Sequence, residues 1–130
     1  MASPSFLSVI LQAPDGHYAL HNGRNRRMLA TQVEPAFDSR SRRRGLLGRE
    51  ALSEGAALII APCSAIHTLF MRFAIDVVAL TRDFRVLRVR HRLRPFRVTS
   101  VSLKIHNILE IGAGEISRCK IEVGDQLEIV

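Results

Sequence analysis

The sequence predicts a mostly β fold, a compact antiparallel β sandwich or barrel with one short helix at about residues 38–48. Three observations carry this reading. Apolar residues recur with a period of two or in short unbroken runs, turn residues interrupt them at close spacing, and one Arg/Ser-rich stretch breaks the strand pattern. Short strands of this kind bury their apolar faces sheet on sheet, leaving the helix to cover a face or plug an end. The 130 residues read as one domain, with 1–35 an N-terminal extension or hairpin and 36–130 the core.

Leu7, Val9 and Leu11 alternate against Ser8 and Gln12, and Pro14-Asp15-Gly16 supplies the turn into a short strand from His17 to Leu20. Asn22-Gly23 stops it, and Met28 to Val33 is a further strand that Pro35 ends. Asp38 or Ser39 is suited to cap a helix over Ser39 to Gly48, since a side-chain oxygen can accept from an unpaired first-turn N–H. Gly48 is then its left-handed stop, and Gly45, inside the helix at a cost of about 1 kcal/mol, implies close packing there. A further turn, Glu50 to Glu54, closes at Gly55.

Ala56 to Ala61 is a strand buried on both faces, broken by the donor-less Pro62. His67 to Phe73 and Ile75 to Leu80 read as buried strands, with Arg82-Asp83 as the turn after them. From Phe84 to Val98, Leu87, Val89 and Leu93 are expected on one face and Arg88, Arg90, Arg92 and Arg94 on the wet one. The apolar phase slips between Val86 and Leu87, which predicts a bulge. Val101 to Ile105, Asn107 to Ile111 and Gln126 to Val130 complete the strands, with turns at Gly112-Ala113-Gly114 and Val123-Gly124-Asp125.

The net charge of +7 invites a nucleic-acid or anionic-membrane reading. Nearly all of it is Arg, with Lys104 and Lys120 the sole lysines, a bias that coding composition also produces. An acidic protein partner therefore fits as well as nucleic acid, which is not favoured because aromatic residues for base stacking are scarce near the arginine ladder. No run approaches the roughly 18 apolar residues of a membrane-spanning helix, so no membrane span is expected. Phe6 to Leu11 is too short, and lacks the basic leader, for a secretory signal, so the location expected is cytoplasmic. Cys63 and Cys119 are expected free and buried, and without CxxC, HxxxH or zinc-like spacing neither a metal nor a cofactor is expected.

The chemistry concentrates in Ala61 to Asp76, where Cys63, His67, Arg72 and Asp76 stand in an apolar segment. A carboxylate there must be paired or exposed at a mouth, because burying it alone is expensive. Asp76 reads first as an ion-pair partner or a turn cap. The functional alternative places Asp76, His67 and Arg44 or Arg72 round one pocket for a polar ligand, with Glu110 reaching the same site. Gly112 and Gly114 are too few for a phosphate cradle, and no helix start is expected after them.

Four blocks in order resemble the bacterial and archaeal family known as domain of unknown function 192, also called uncharacterised protein family 0127. They are Arg44-Gly45-Leu46-Leu47-Gly48-Arg49, His67 to Val78, Leu109 to Gly114, and Val123-Gly124-Asp125. The resemblance runs from about Arg40 to Val130. It implies a compact β sandwich or barrel with little helix, and the family has no established activity. Leu47 stands where the family usually has Met, and Ala74 where a proline commonly precedes the Ile-Asp pair.

Three functions follow as expectations. The preferred one is a small non-catalytic binding or accessory domain with a polar pocket near His67 and Asp76, holding a small ligand or partner segment against Arg44, His67, Arg72, Asp76 and Glu110. A hydrolytic enzyme using His67 with Asp76 or Cys63 is the first alternative, and an Arg-mediated nucleic-acid binder the second.

Overall fold

The computed structural model describes residues 18–68, 71–99 and 102–129. In chain order its elements are β1 (Leu20–Asn22), β2 (Met28–Ala30), β3 (Gln32–Ala36), α1 (Ser39–Arg44), β4 (Ala56–Ile60), β5 (Ile75–Leu80), β6 (Val86–Leu93), β7 (Asn107–Gly112), α2 (Glu115–Arg118) and β8 (Leu127–Ile129). They form a three-stranded sheet in the order β2-β1-β8 and a five-stranded sheet in the order β3-β4-β7-β5-β6. Every pair is antiparallel except β3 with β4, which run parallel. The expected Leu7 to Gln12 strand lies outside the described residues.

The larger sheet is apolar on both faces because strand side chains alternate sides. Ala57, Ile59, Val78, Leu80, Leu109 and Ile111 face the smaller sheet and pack on Leu20, Leu29, Leu127 and Ile116. Leu58, Ile60, Val77, Ala79 and Ile108 face the other way and are covered by Leu46, Ile66, Met71 and Ile105, which come from loops. Burying each such aliphatic side chain contributes about 1.5–3 kcal/mol, so these loops are anchored rather than draped. The two sheets are laced at both edges without closing into a barrel. Arg85 bridges Gln126 beside β6, and the Val33 N–H donates to the Tyr18 carbonyl at 3.2 Å beside β3.

Several expected elements differ in detail. The Met28 to Val33 run divides at Thr31, whose N–H turns to the Gly55 carbonyl at 2.8 Å, so β2 and β3 serve different sheets. Pro35 lies inside β3 rather than ending it. Its neighbour two residues back, Val33, points its N–H away from β4, so the missing donor of Pro35 falls on the outer side of an edge strand. Of the expected His67 to Phe73 strand, His67 makes an isolated bridge to Val98, Met71 to Phe73 are not strand, and residues 69 and 70 lie outside the described residues. Ser102 to Ile105 form a turn in place of the expected strand, closed by the Ile105 N–H on the Ser102 carbonyl at 3.1 Å.

β6 carries the bulge expected at Leu87, because Val86 faces Leu80 and Arg88 faces Ala79. A second irregularity falls between Leu93 and Arg90. These shifts scatter the expected apolar face: Val89 packs toward the smaller sheet, whereas Leu87 and Leu93 pack on the opposite side. Arg88 and Arg90 share that second side, and their stems border Val77, Ala79, Ile105 and Ile108.

The helix is capped as expected at Asp38, whose Oδ1 accepts from the Ser41 N–H at 2.7 Å. It stops at Arg44, four residues early. Gly45 is its C-terminal cap at φ 48°, ψ −124°, and the expected close packing is missing, since a Cβ there would meet nothing within 4 Å. The glycine is required by backbone conformation alone, and Gly48 also takes a positive φ, 83°, within the following turn. Gly45→Ala is therefore expected to destabilise the fold by about 1–3 kcal/mol with no steric clash. A lowered urea midpoint at unchanged slope checks this, and an unchanged midpoint contradicts it.

Candidate functional site

β7 runs through the middle of the larger sheet, between β4 and β5, and Glu110 sits near its centre opposite Leu58 and Val77. Alternation puts its side chain on the loop-covered face, between aliphatic neighbours. The residue is 3% exposed, and its Oε2 is buried without a hydrogen-bond partner among the described residues. Burial pushes the carboxyl up to about 7, and the positive charge of Arg49 pulls it back only in part. Arg49 is already engaged, donating to Glu34 Oε1 at 2.8 Å.

A cavity of about 650 Å³ opens on this carboxyl. α1 contributes Arg42, Arg43 and Arg44 to it, and the segment after β4 contributes Cys63 and His67. Ile60, Ile66 and Met71 supply apolar wall. The volume lies within the usual 300–1,000 Å³ of small-molecule sites, as does the mixture of apolar lining with a few polar groups. The Arg42 guanidinium is steadied by the Phe37 carbonyl at 3.1 Å, and that of Arg43 by the Ser39 carbonyl at 3.2 Å.

His67 is exposed, and its backbone is fixed from both sides. Beside its bridge to Val98, the next residue, Thr68, donates its N–H to the Arg97 carbonyl at 2.8 Å and its hydroxyl to the Arg94 carbonyl at 2.6 Å. The Cys63 N–H donates to the His106 carbonyl at 2.8 Å, and its thiol lies 3.0 Å from the Ala65 carbonyl. Burial raises the Cys63 thiol above its ordinary range, the opposite of what an activated nucleophile needs. Neither cysteine is bonded to the other.

Arg44, His67 and Glu110 thus share one cavity, while Asp76 and Arg72 do not. Asp76 is fully buried on the opposite face of the sheet, one residue out of phase with Val77, which faces Glu110. Its Oδ1 accepts from the Arg92 N–H at 2.8 Å, and its Oδ2 accepts from Gly114 and Ile116 N–H at 3.1 and 2.9 Å. It holds the distorted end of β6, where Arg92 has φ 48°, against the start of α2. That start also corrects the expectation that no helix follows Gly114. The donors there already face an internal carboxylate, so no phosphate cradle is formed. Arg72 is exposed at 3.7 Å from Glu50, a pair in the range worth about 0–1 kcal/mol.

The pattern of residue types flagged Cys63 but missed Arg42 and Arg43 as cavity residues, and missed the Glu34–Arg49 pair beside Glu110. That pair depends on the parallel β3–β4 register, which sets Glu34 beside Leu58 and which the run of turn signals did not disclose.

A family model for DUF192, the domain of unknown function named above, described as "Uncharacterized ACR", matches residues 20–129. The chain belongs to the DUF192 family. The match takes in β1 to β3 as well as the four blocks from Arg40 onward. No curated protein matches this DUF192 chain. Two solved structures share its fold. One is a protein of unknown function from Novosphingobium aromaticivorans, at 20% identity and a TM-score of 0.73, covering 86% of this chain and 83% of the other. The second, from Sinorhizobium meliloti and described as a "putative transcription regulator", has 20% identity and a TM-score of 0.74, covering 87% and 92%. Among the described residues, no helix is long and apolar enough to cross a membrane.

The two carboxyls predict opposite behaviour. Asp76→Ala leaves three N–H donors without their acceptor, at about 1–3 kcal/mol each where buried, so a loss of about 3 kcal/mol or more is expected in chemical denaturation. Glu110 titrates near 4.5 when unfolded and about 7 when folded, so the unfolded state ionises first as pH rises. The Glu110 contribution to native stability is then full below pH 4.5 and falls by up to about 3 kcal/mol by pH 7. Glu110→Gln should flatten that slope and gain on the wild type between pH 5 and 8. Parallel pH–stability curves would rule out this assignment.

Proposed function

We propose that this DUF192 chain is a small-ligand-binding domain whose site is the cavity between α1, the segment after β4 and Glu110. The observation that carries the reading is Glu110, which lines a space large enough for a small molecule while its buried Oε2 has no hydrogen-bond partner among the described residues. Leaving such a group unmatched costs about 1–3 kcal/mol or more, and a fold of this size has few reasons to retain that cost. A bound molecule removes it. Arg44 and the other α1 arginines supply the cationic rim, His67 a polar flank, and Ile60, Ile66 and Met71 a surface for apolar atoms.

The hydrolytic alternative is less well supported. All the oxygens of Asp76 are committed to backbone donors on the other face, and the Cys63 thiol is held in its protonated form. The nucleic-acid alternative has the exposed arginines of β6 in its favour, but the stems of Arg88 and Arg90 also cover apolar surface, which accounts for them without a polyanion.

Titration with hexanoate and with phenyl phosphate, followed by the His67 ring and Met71 methyl NMR signals, tests the site. Both probes are expected to move those signals, and Arg44→Ala to weaken them about tenfold, as loss of one charge-assisted contact does. Signals that stay in place throughout would remove the cavity from consideration.

A further inference from the structure

The two ends of the cavity ask for different chemistry. At the floor, Glu110 is a carboxyl 3% exposed, flanked by Leu58 and Val77, with an oxygen that accepts from nothing among the described residues. At the rim, Arg42, Arg43 and Arg44 stand on one short helix. The groups facing Glu110 can be taken element by element. β4 and β5 present apolar side chains, the loop after α1 presents Arg49 already paired with Glu34, the segment after β4 presents Cys63 and His67, and α1 presents the three arginines. Asp76 lies across the sheet, and the Glu34 carboxylate on the same face as Glu110 is already paired with Arg49.

We propose that the cavity takes a zwitterion: a small molecule with an ammonium or guanidinium head that meets Glu110, an apolar body against Ile60, Ile66 and Met71, and a carboxylate or phosphate end among the α1 arginines. This rests on the binding reading above and sharpens it to a ligand class. An anion alone would satisfy the rim and leave Glu110 unmatched. A cation alone would satisfy Glu110 but leave the α1 arginines at the rim without an anion to meet. Binding involves one proton transfer: the fraction of Glu110 that is protonated gives its proton to solvent, and the resulting carboxylate accepts from the ligand N–H groups. No other bond changes.

Calorimetry at pH 7 with a series of ω-amino carboxylates, from 4-aminobutyrate to 8-aminooctanoate, tests this beside the matched alkyl carboxylates and alkylamines. Two buffers of different ionisation enthalpy give the protons exchanged. In the wild type, at least one ω-amino carboxylate is expected to bind about tenfold or more tightly than its alkyl carboxylate, the usual gain from one charge-assisted hydrogen bond. It should release up to about half a proton, since Glu110 titrates at about 7. Glu110→Gln should abolish both the preference and the release while still binding the alkyl carboxylate. Proton uptake, or equal affinity for the two series, overturns the zwitterion and leaves an anion-binding cavity. Binding of none of the probes overturns both readings. Should Glu110→Gln fail to fold, the sign of proton exchange in the wild type decides alone.

Discussion

The alternation of side chains across the β7–β5 pair is the constraint on which the molecule depends. Val77 faces Glu110 and Asp76 faces Ile111, so two carboxyls in adjacent strands of one sheet are sent to opposite sides. On one side the smaller sheet and α2 enclose Asp76; on the other, loops cover the face incompletely and leave a cavity over Glu110. A slip of β5 by one residue would turn Asp76 to the loop-covered face beside Glu110, leaving two carboxyls on one side and the three backbone donors of Asp76 unmatched.

The energetics of these groups diverge accordingly. Asp76 meets three backbone donors, which satisfy both of its oxygens inside the protein. Those donors belong to segments that would otherwise be hard to fix: an arginine at positive φ and the first turn of a four-residue helix. Glu110 has the reverse situation, burial with its Oε2 unpartnered among the described residues, and burial raises its pKa. Asp125 repeats the Asp76 solution near the other end of the chain, accepting from the side chains of Asn22 and Arg24 and from the Glu122 N–H. Two of the three buried carboxyls among the described residues therefore serve as internal anchors, and the third lines the cavity with one oxygen unpartnered there.

Much of the fold was legible from residue pattern. Period-two alternation, unbroken aliphatic runs and Gly/Pro/Asn turns gave β4, β5, most of β6, β7 and β8, and the Asp38 cap gave α1. What could not be read depends on partners distant in sequence. The division of the Met28 run at Thr31 needs the Gly55 carbonyl, and the ordering of the 66–68 segment needs the backbone of residues 94–99. The site was legible by residue type more than by geometry. His67, Arg44 and Glu110 were expected together and do share a cavity, but the segment containing Asp76 holds no cue to which face it occupies. That depends on the register with β7, and an apolar strand buried on both sides carries no alternation from which to infer it.

The outer rows of the larger sheet bear on how copies of this chain meet. At one border Pro35 offers no N–H, and at the other β6 is bent by two irregularities and studded with Arg88, Arg90 and Arg92. Neither border is a flat, donor-rich template, so strand-to-strand growth between molecules is disfavoured by shape and by like charge. Crowded or partly denatured samples should therefore resist fibril-like stacking through this sheet, and self-association, where it occurs, has to proceed through side chains.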